Sequence, residues 1–182
     1  MRIAASLPVP PDLPMCRRVA ARVEELGYES VWIADTGAGP DAFVVAAAVA
    51  PVTTTLRIGT AVIPTYTRSA SVMAAGTGSV AQLAPGRFVL GIGASSETIV
   101  DAWGGVPYQK PLTQIRESVG VLRQMLAGER VTFTGKTIRT RGFRLVSAPP
   151  SPVPIYLAAL MPSMLEAAGE LADGVTLNFM PV

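Results

Sequence analysis

The chain has 182 residues, of which 49% are hydrophobic and 15% charged, and its formal net charge is +2. This composition provides a sizeable core and excludes a disordered chain. The basic residues are scattered, which argues against a nucleic-acid partner. No apolar run reaches the roughly 18 residues of a membrane span, and the N-terminus lacks the pattern of a signal peptide. We therefore expect a cytoplasmic protein with neither a nucleic-acid nor a membrane partner.

The residue types restrict the possible chemistry. The chain contains no histidine, which removes the most frequent general base and metal ligand. Its single cysteine, Cys16, cannot form an internal disulfide. Catalysis would depend on carboxylates, hydroxyls, arginines or a bound cofactor, and no metal site is predicted.

Short apolar segments alternate with segments of helical periodicity along the chain. Strands are predicted at residues 2–9, 30–34, 56–63, 88–92, 155–159 and 175–179. Helices are predicted at residues 15–26, 42–50, 69–83, 111–126 and 162–172, with Asp12 and Asp41 as N-caps of the first two. Within a predicted excursion at about 129–150, residues 131–146 look like a hairpin. Alternating strands and helices imply parallel pairing, and hence one α/β domain over residues 1–182.

Two carboxylates lie where predicted strands end. Asp35 ends the second strand, and Glu97 lies just past the fourth. In parallel α/β proteins the ligand face lies at the C-terminal strand ends, so both could orient a substrate or exchange a proton. The alternatives are that Asp35 caps a loop and that Glu97 starts a helix.

Two backbone features could also serve a ligand. Gly91-Ile-Gly93 follows a strand and resembles a dinucleotide fingerprint, but Ser96 replaces its third glycine, so small residues at a close backbone approach are the better interpretation. Pro162 suits the first turn of a helix whose N-terminus could hold a phosphate, with Ser163 adding a hydroxyl.

Three larger side chains have open interpretations. Arg68, just past the third strand, could bind an anion or brace a carboxylate, and the alternative is a structural ion pair. Trp32 lies in the middle of a strand and is predicted to belong to the core. Trp103 lies in a loop region and could cover a planar ligand, although packing is the simpler prediction.

An ordered set of motifs resembles the bacterial luciferase-like monooxygenase superfamily, especially its flavin- or coenzyme F420-dependent oxidoreductases. The resemblance covers nearly the whole chain. It rests on residues 21–35 (ARVEELGYESVWIAD), 56–68 (LRIGTAVIPTYTR), 83–93 (LAPGRFVLGIG), 103–104 (WG), 154–158 (PIYLA) and 171–175 (LADGV).

The resemblance implies a parallel (β/α)8 TIM-barrel type of fold, usually dimeric, with a deazaflavin or flavin lying across the C-terminal strand ends. It implies a non-prolyl cis peptide at Ala61-Val62, in a bulge of the third strand behind the ring. It places Asp35 near the ring and makes Gly93 and Ser96 border it. The turn at Leu160, Met161 and Ser163 is similar to the segment that contacts the cofactor phosphate.

The chain departs from this family in three ways. Thr36 stands where several F420 reductases have histidine, and Glu97 is one position away from a glutamate that is catalytic in some members. A typical barrel of this fold has about 250 residues, so this chain would hold only about six β/α units. We expect a C-terminal truncation, with marginal stability as an isolated monomer.

The resemblance implies an oxidoreductase that transfers a hydride between coenzyme F420, or alternatively FMN, and a small organic substrate. Asp35 and Glu97 are the predicted catalytic residues. Ala61, Val62, Gly93, Ser96, Leu160, Met161 and Ser163 are the predicted cofactor-binding residues, and a homodimer is expected. The alternative is a truncated, inactive barrel remnant that serves as a binding or dimerisation module.

Overall fold

The computed structural model describes residues 3–8 and 12–178. The strands are β1 (Ala4–Ser6), β2 (Ser30–Ile33), β3 (Arg57–Thr60), β4 (Ile63–Pro64), β5 (Phe88–Gly93), β6 (Val131–Thr134), β7 (Arg139–Phe143), β8 (Ile155–Ala158) and β9 (Gly174–Thr176). The helices are α1 (Leu13–Glu25), α2 (Ala42–Val49), α3 (Ala70–Leu83), α4 (Pro111–Leu126) and α5 (Pro162–Leu171). Predicted strand ends at residues 2, 9 and 179 lie outside the described residues.

One parallel sheet carries the fold, in the order β1-β2-β3-β5-β8-β9, and β4 also pairs with β5. The third predicted strand is therefore divided into β3 and β4. Helices follow β1, β2, β4, β5 and β8 in the chain, and the apolar core includes residues of both the helices and the strands. The predicted alternation with parallel pairing is confirmed.

A bulge separates β3 from β4. Gly59 pairs with Val89 and Ile63 pairs with Ile92, so residues 60–62 of the third strand face only residues 90–91 of β5. The hydroxyl of Thr60 bridges this gap, since it donates to the Gly91 carbonyl (2.8 Å) and accepts from the Gly91 N–H (2.9 Å). The Ala61-Val62 peptide is cis. The predicted bulge and cis peptide are both confirmed.

Several helix boundaries agree with the sequence, and two details differ. Helix α4 has the predicted bounds, and Asp41 caps α2 by accepting from the N–H groups of Phe43 (2.8 Å) and Val44 (3.4 Å). Asp12 occupies the N-cap position of α1 but makes no capping hydrogen bond through its side chain. The predicted helix at 42–50 ends at Val49 and continues as a short 3-10 turn, because Pro51 cannot donate an N–H.

The predicted hairpin is present as the antiparallel pair β6–β7. Its turn is fixed to α4 by Glu117, whose carboxylate accepts from the N–H groups of Lys136 (2.7 Å), Thr137 (2.9 Å) and Ile138 (2.9 Å). Burial alone would raise the pKa of Glu117, but the Thr137 hydroxyl and these N–H groups lower it to about 2. The hairpin is therefore anchored by a carboxylate that stays ionised at neutral pH.

The start of β3 is held in a similar way by Glu24 at the end of α1. Its carboxylate accepts from the N–H groups of Thr54 (2.9 Å), Thr55 (2.6 Å) and Leu56 (2.7 Å). Arg87 adds hydrogen bonds to Thr53 Oγ1, the Leu56 carbonyl and the Ala50 carbonyl. These contacts fix the N-terminal strand ends and leave the C-terminal ends available for a site.

Candidate functional site

A cavity of about 1120 Å³ opens at the C-terminal ends of the parallel strands. Its lining includes the last residue of β1, residues in and just after β2, the bulge of the third strand, and the segments that follow β5, β8 and β9. Within the described ranges no Asp, Glu, Lys or Arg side chain lines it. The cavity therefore suits an uncharged planar group better than a charged one.

Five of the predicted cofactor-binding residues line this cavity together: Ala61, Val62, Leu160, Met161 and Ser163. Ala61 and Val62 are consecutive, and both reach the cavity because the bulge interrupts the alternation of the third strand. The other three come from the β8–α5 turn and the first turn of α5. The structure thus brings these two distant segments together, while their role in cofactor binding remains a prediction.

Gly93 and Ser96, the other two predicted cofactor-binding residues, do not line the cavity. A Cβ on Gly93 would lie 2.7 Å from Val62 Cγ2 and 3.1 Å from Ala158 Cβ, and both of these neighbours line the cavity. Gly93 therefore permits the close packing of the cavity wall. Ser96 is exposed, does not line the cavity, and its hydroxyl accepts from the Ile99 N–H at 3.4 Å.

The floor of the cavity includes Trp32 and Tyr156, whose ring centroids are 5.6 Å apart. The prediction that Trp32 belongs to the core is wrong, because its indole is only half-buried and lines the cavity. Both faces of a barrel strand are apolar, so hydrophobicity alone does not distinguish the inner face from the helix-covered face. Tyr156 stands two residues before Ala158, and strand alternation places both on the inner face.

Tyr108 forms part of the wall and was not identified from the sequence. Its hydroxyl donates to the Ser95 carbonyl (3.2 Å), and its ring packs against Tyr66 with centroids 5.3 Å apart. Burial, and then the charge of Glu97, raise the pKa of Tyr108. Tyr108 precedes α4 in a segment without periodicity, so no sequence signal indicates its position.

Asp35 lies outside this cavity, in an ion-pair cluster with Arg68. Arg68 Nη2 is 2.8 Å from Asp35 Oδ2, and Arg68 Nη1 contacts Asp41 Oδ2. The Asp35 side chain is only 7% exposed. Burial alone would raise the pKa of Asp41, but hydrogen bonds from Arg68 and the Phe43 N–H hold it below its ordinary value. Arg68 is therefore paired with two carboxylates of the chain, as both a bracing role and a structural ion pair require.

Asp35 and Arg68 line a smaller cleft of about 450 Å³ together with Trp103. Trp103 ends an unpredicted π-helix, Thr98–Trp103, and 61% of it is exposed, so the prediction that it packs is wrong. Glu97 precedes this π-helix and is exposed, outside the lining of the large cavity. Neither predicted catalytic carboxylate therefore lines the cavity that holds the five cofactor-binding candidates.

In the residues that the structure describes, no group of three or more Cys, Asp or Glu side chains is placed to hold a metal ion. No helix in the same part of the chain is long and apolar enough to cross a bilayer.

Comparison with known proteins identifies the family. The luciferase-like monooxygenase family matches residues 1–181, and the chain therefore belongs to that family. The 5,10-methylenetetrahydromethanopterin reductase of Methanolobus tindarius is 37% identical over 159 residues, which are 87% of this chain and 48% of that protein. The F420-dependent glucose-6-phosphate dehydrogenase of Kineococcus radiotolerans is 35% identical over 167 residues, covering 85% of this chain and 49% of that protein.

Comparison of the fold with solved structures gives a consistent result. The coenzyme F420 dependent tetrahydromethanopterin reductase of Methanopyrus kandleri superposes with a TM-score of 0.90 at 25% identity, covering 97% of this chain and 55% of that one. The predicted TIM-barrel type and the predicted family are confirmed. The chain spans about half the length of the curated relatives it matches, and its six parallel strands correspond to part of a barrel.

Proposed function

We propose that the chain takes part in hydride transfer between coenzyme F420 and a small organic substrate, with FMN as the alternative cofactor. The observation that carries this proposal is the uncharged cavity of about 1120 Å³ with the Ala61-Val62 bulge in its wall. The relatives support the choice of F420, because one is named as an F420-dependent dehydrogenase and another as a coenzyme F420 dependent reductase.

The residues present fit a planar ring. Ala61 and Val62 would contact one face of it, and the absent side chain of Gly93 lets the wall behind Val62 pack closely. The bound ring would supply the hydride chemistry, while the chain holds the ring, excludes water from one face and sets its orientation. A cavity without charged side chains favours binding of an uncharged ring over binding of a charged group.

Ser163 and the N-terminus of α5 are the proposed site for the cofactor phosphate. Met161 is the N-cap residue and makes no capping hydrogen bond through its side chain, while Pro162 begins the helix. The N–H groups of Met164 and Leu165 donate to the Met161 carbonyl, so Ser163, through its hydroxyl and backbone N–H, and the helix dipole are what would favour an anion at this end. Leu160 is 53% exposed and Met161 69% exposed, so this end of the cavity is open enough for a charged group.

Asp35 and Glu97 remain the proposed catalytic carboxylates, and they would act from outside the cavity lining. The hydrogen bond from Arg68 orients the Asp35 carboxylate, which suits a positioning role at the strand ends. Burial and then the charge of Glu97 raise the pKa of Tyr108, which supports a position of Glu97 close to the wall of the cavity.

The proposal is tested by titrating the chain with oxidised F420 and, separately, with FMN, and following cofactor fluorescence. Micromolar or tighter binding of F420 is the expected result. Binding of FMN alone would replace F420 by the alternative. Failure to bind either, together with a stable dimer, would favour the inactive binding or dimerisation module.

A homodimer is part of the proposal, and its support is the surface formed by α2 and α3. These adjacent helices contain no charged residue, yet Val44, Val72 and Leu83 are each at least half exposed (51%, 54% and 51%). Apolar helix faces of this kind are typical of subunit interfaces. Val72→Glu should yield a monomer in light scattering, whereas Val146→Glu, at a loop valine that is 99% exposed, should not.

The cytoplasmic location expected from the sequence is likewise part of the proposal. It rests on the single cysteine, which is fully buried.

A further inference from the structure

The two aromatic rings on the cavity floor lean across the sheet. Trp32 pairs with Gly59 on the next strand, and Tyr156 pairs with Gly174 on its neighbour. A Cβ on Gly59 would lie 2.3 Å from Trp32 Cζ3, and one on Gly174 would lie 2.5 Å from Tyr156 Cζ. The rings therefore occupy the space that side chains would take at these two glycines.

This arrangement makes the floor broad and apolar. The two ring planes differ by 32°, and both residues are half-buried at the cavity. Glycine inside a strand weakens it, and the rings that cover Gly59 and Gly174 compensate part of that loss while they also line the cavity. A pair of leaning rings offers the surface on which another planar ring stacks.

The floor has one available polar group. Trp32 Nε1 already donates to Ser30 Oγ at 3.0 Å. The hydroxyl of Tyr156, by contrast, has no hydrogen-bond partner among the residues that the structure describes. A ligand that covered this hydroxyl would have to accept a hydrogen bond from it, since an unpaired buried hydroxyl is unfavourable.

We propose that the Trp32–Tyr156 floor is a stacking platform for an uncharged planar heteroaromatic ring, and that the Tyr156 hydroxyl donates to a carbonyl oxygen or ring nitrogen at the edge of that ring. The absence of charged side chains from the described lining sets the ligand class. This inference rests on the proposed function only in assigning the ring to the cofactor.

The test compares the unmodified chain with Tyr156→Phe and Gly59→Ala, using lumichrome, FMN and F420 as probes in calorimetric titrations. Lumichrome is a planar ring without a phosphate tail. Tyr156→Phe should weaken binding of lumichrome and of the preferred cofactor about tenfold, because it removes one hydrogen bond. Tyr28→Phe makes the same chemical change outside the cavity and should leave all the dissociation constants unchanged.

Gly59→Ala should tilt the indole and weaken lumichrome binding by at least about tenfold, with a shift in the tryptophan emission. Gly120→Ala is the matched control, since a Cβ there meets nothing within 4 Å. If Gly59→Ala does not fold, as judged by circular dichroism, the Tyr156→Phe result decides.

The outcomes separate the two proposals. If the unmodified chain binds lumichrome in a Tyr156-dependent manner but binds neither FMN nor F420, the platform stands and the proposed function fails. If the unmodified chain binds a cofactor and the dissociation constant of Tyr156→Phe lies within twofold of that of the unmodified chain, the stacking platform is refuted while the proposed function stands. Failure of lumichrome to bind the unmodified chain, or an equal loss in Tyr28→Phe, also refutes the platform.

Discussion

Glu24→Gln is expected to destabilise the chain by detaching the start of β3 from the end of α1. The carboxylate accepts three backbone N–H groups and the Thr55 hydroxyl (3.0 Å). An amide has only one acceptor oxygen, and its NH₂ group would face these donors. At least one donor would therefore lose its partner.

The magnitude follows from the pKa of Glu24. Burial alone would raise this pKa, but the N–H groups of Thr55, Leu56 and Thr54 lower it from 4.5 to about 2. The difference corresponds to at most about 3 kcal/mol, and solvent screening of this half-buried group reduces it to about 1–2 kcal/mol. In a chain of this size, that loss lowers Tm by about 3–6 °C.

The pH dependence has a definite sign. Because the folded pKa lies below the unfolded one, the stabilisation is present above about pH 4.5 and is lost as pH falls towards 2. Urea unfolding from pH 7 to pH 3 should show a smaller loss of stability for Glu24→Gln than for the unmodified chain. The control is Glu25→Gln, which alters an exposed ion pair with Arg22 and should change stability little. Equal stability of Glu24→Gln and the unmodified chain at pH 7, or identical pH profiles, would refute the reasoning.

Three other predictions concern separate parts of the molecule. Glu117→Gln should leave global unfolding within about 1 kcal/mol of the unmodified chain but speed amide exchange in the β6–β7 turn; unchanged exchange would contradict the anchoring role. Arg68→Met should cost about 2–3 kcal/mol at pH 7 because Asp35 and Asp41 lose their cation. Burial alone would raise the pKa of Asp41 but Arg68 holds it below 3.8, so the deficit should shrink as the pH falls below about 3.8; a pH-independent deficit would indicate packing alone. Cys16 is fully buried, and burial, then the charge of Asp12, raise the pKa of its thiol. A disulfide reagent should therefore react with Cys16 at least about a hundredfold faster in denaturant than in buffer; equal rates would show that the thiol is already accessible in the folded chain.

Elements that a single sequence pattern determines could be predicted from the sequence. Helix α4 combines an apolar stripe with Pro111 at its start and Gly128 beyond its end, and Gly128 has φ of 78°. The parallel alternation followed from the order of apolar segments. The bulge was not visible in hydrophobicity, because Ala61, Val62 and Ile63 are consecutive apolar residues that show no change of face; it came from the resemblance.

Side-chain direction limited the prediction of the site. Asp35 lies at the predicted strand end, but its carboxylate turns towards Arg68, which lies 33 residues further along the chain. Trp32 and Tyr156 lie on strands whose two faces are equally apolar, so periodicity could not place them in the cavity. The π-helix near Trp103 has no distinctive composition, and its hydrogen bonds depend on tertiary context.

The bulge of the third strand also has a consequence for insertions and deletions. Three residues, 60–62, span what two residues span on β5, and the extra residue lets Ala61 and Val62 face the cavity while Ile63 returns to the core. Deleting one residue here would leave two residues opposite residues 90–91, so Ile63 would keep its partner Ile92 and its place in the core, but the bulge and one of the two cavity-facing side chains would be lost. We therefore expect such a deletion to preserve the register of the sheet while it changes the wall of the cavity.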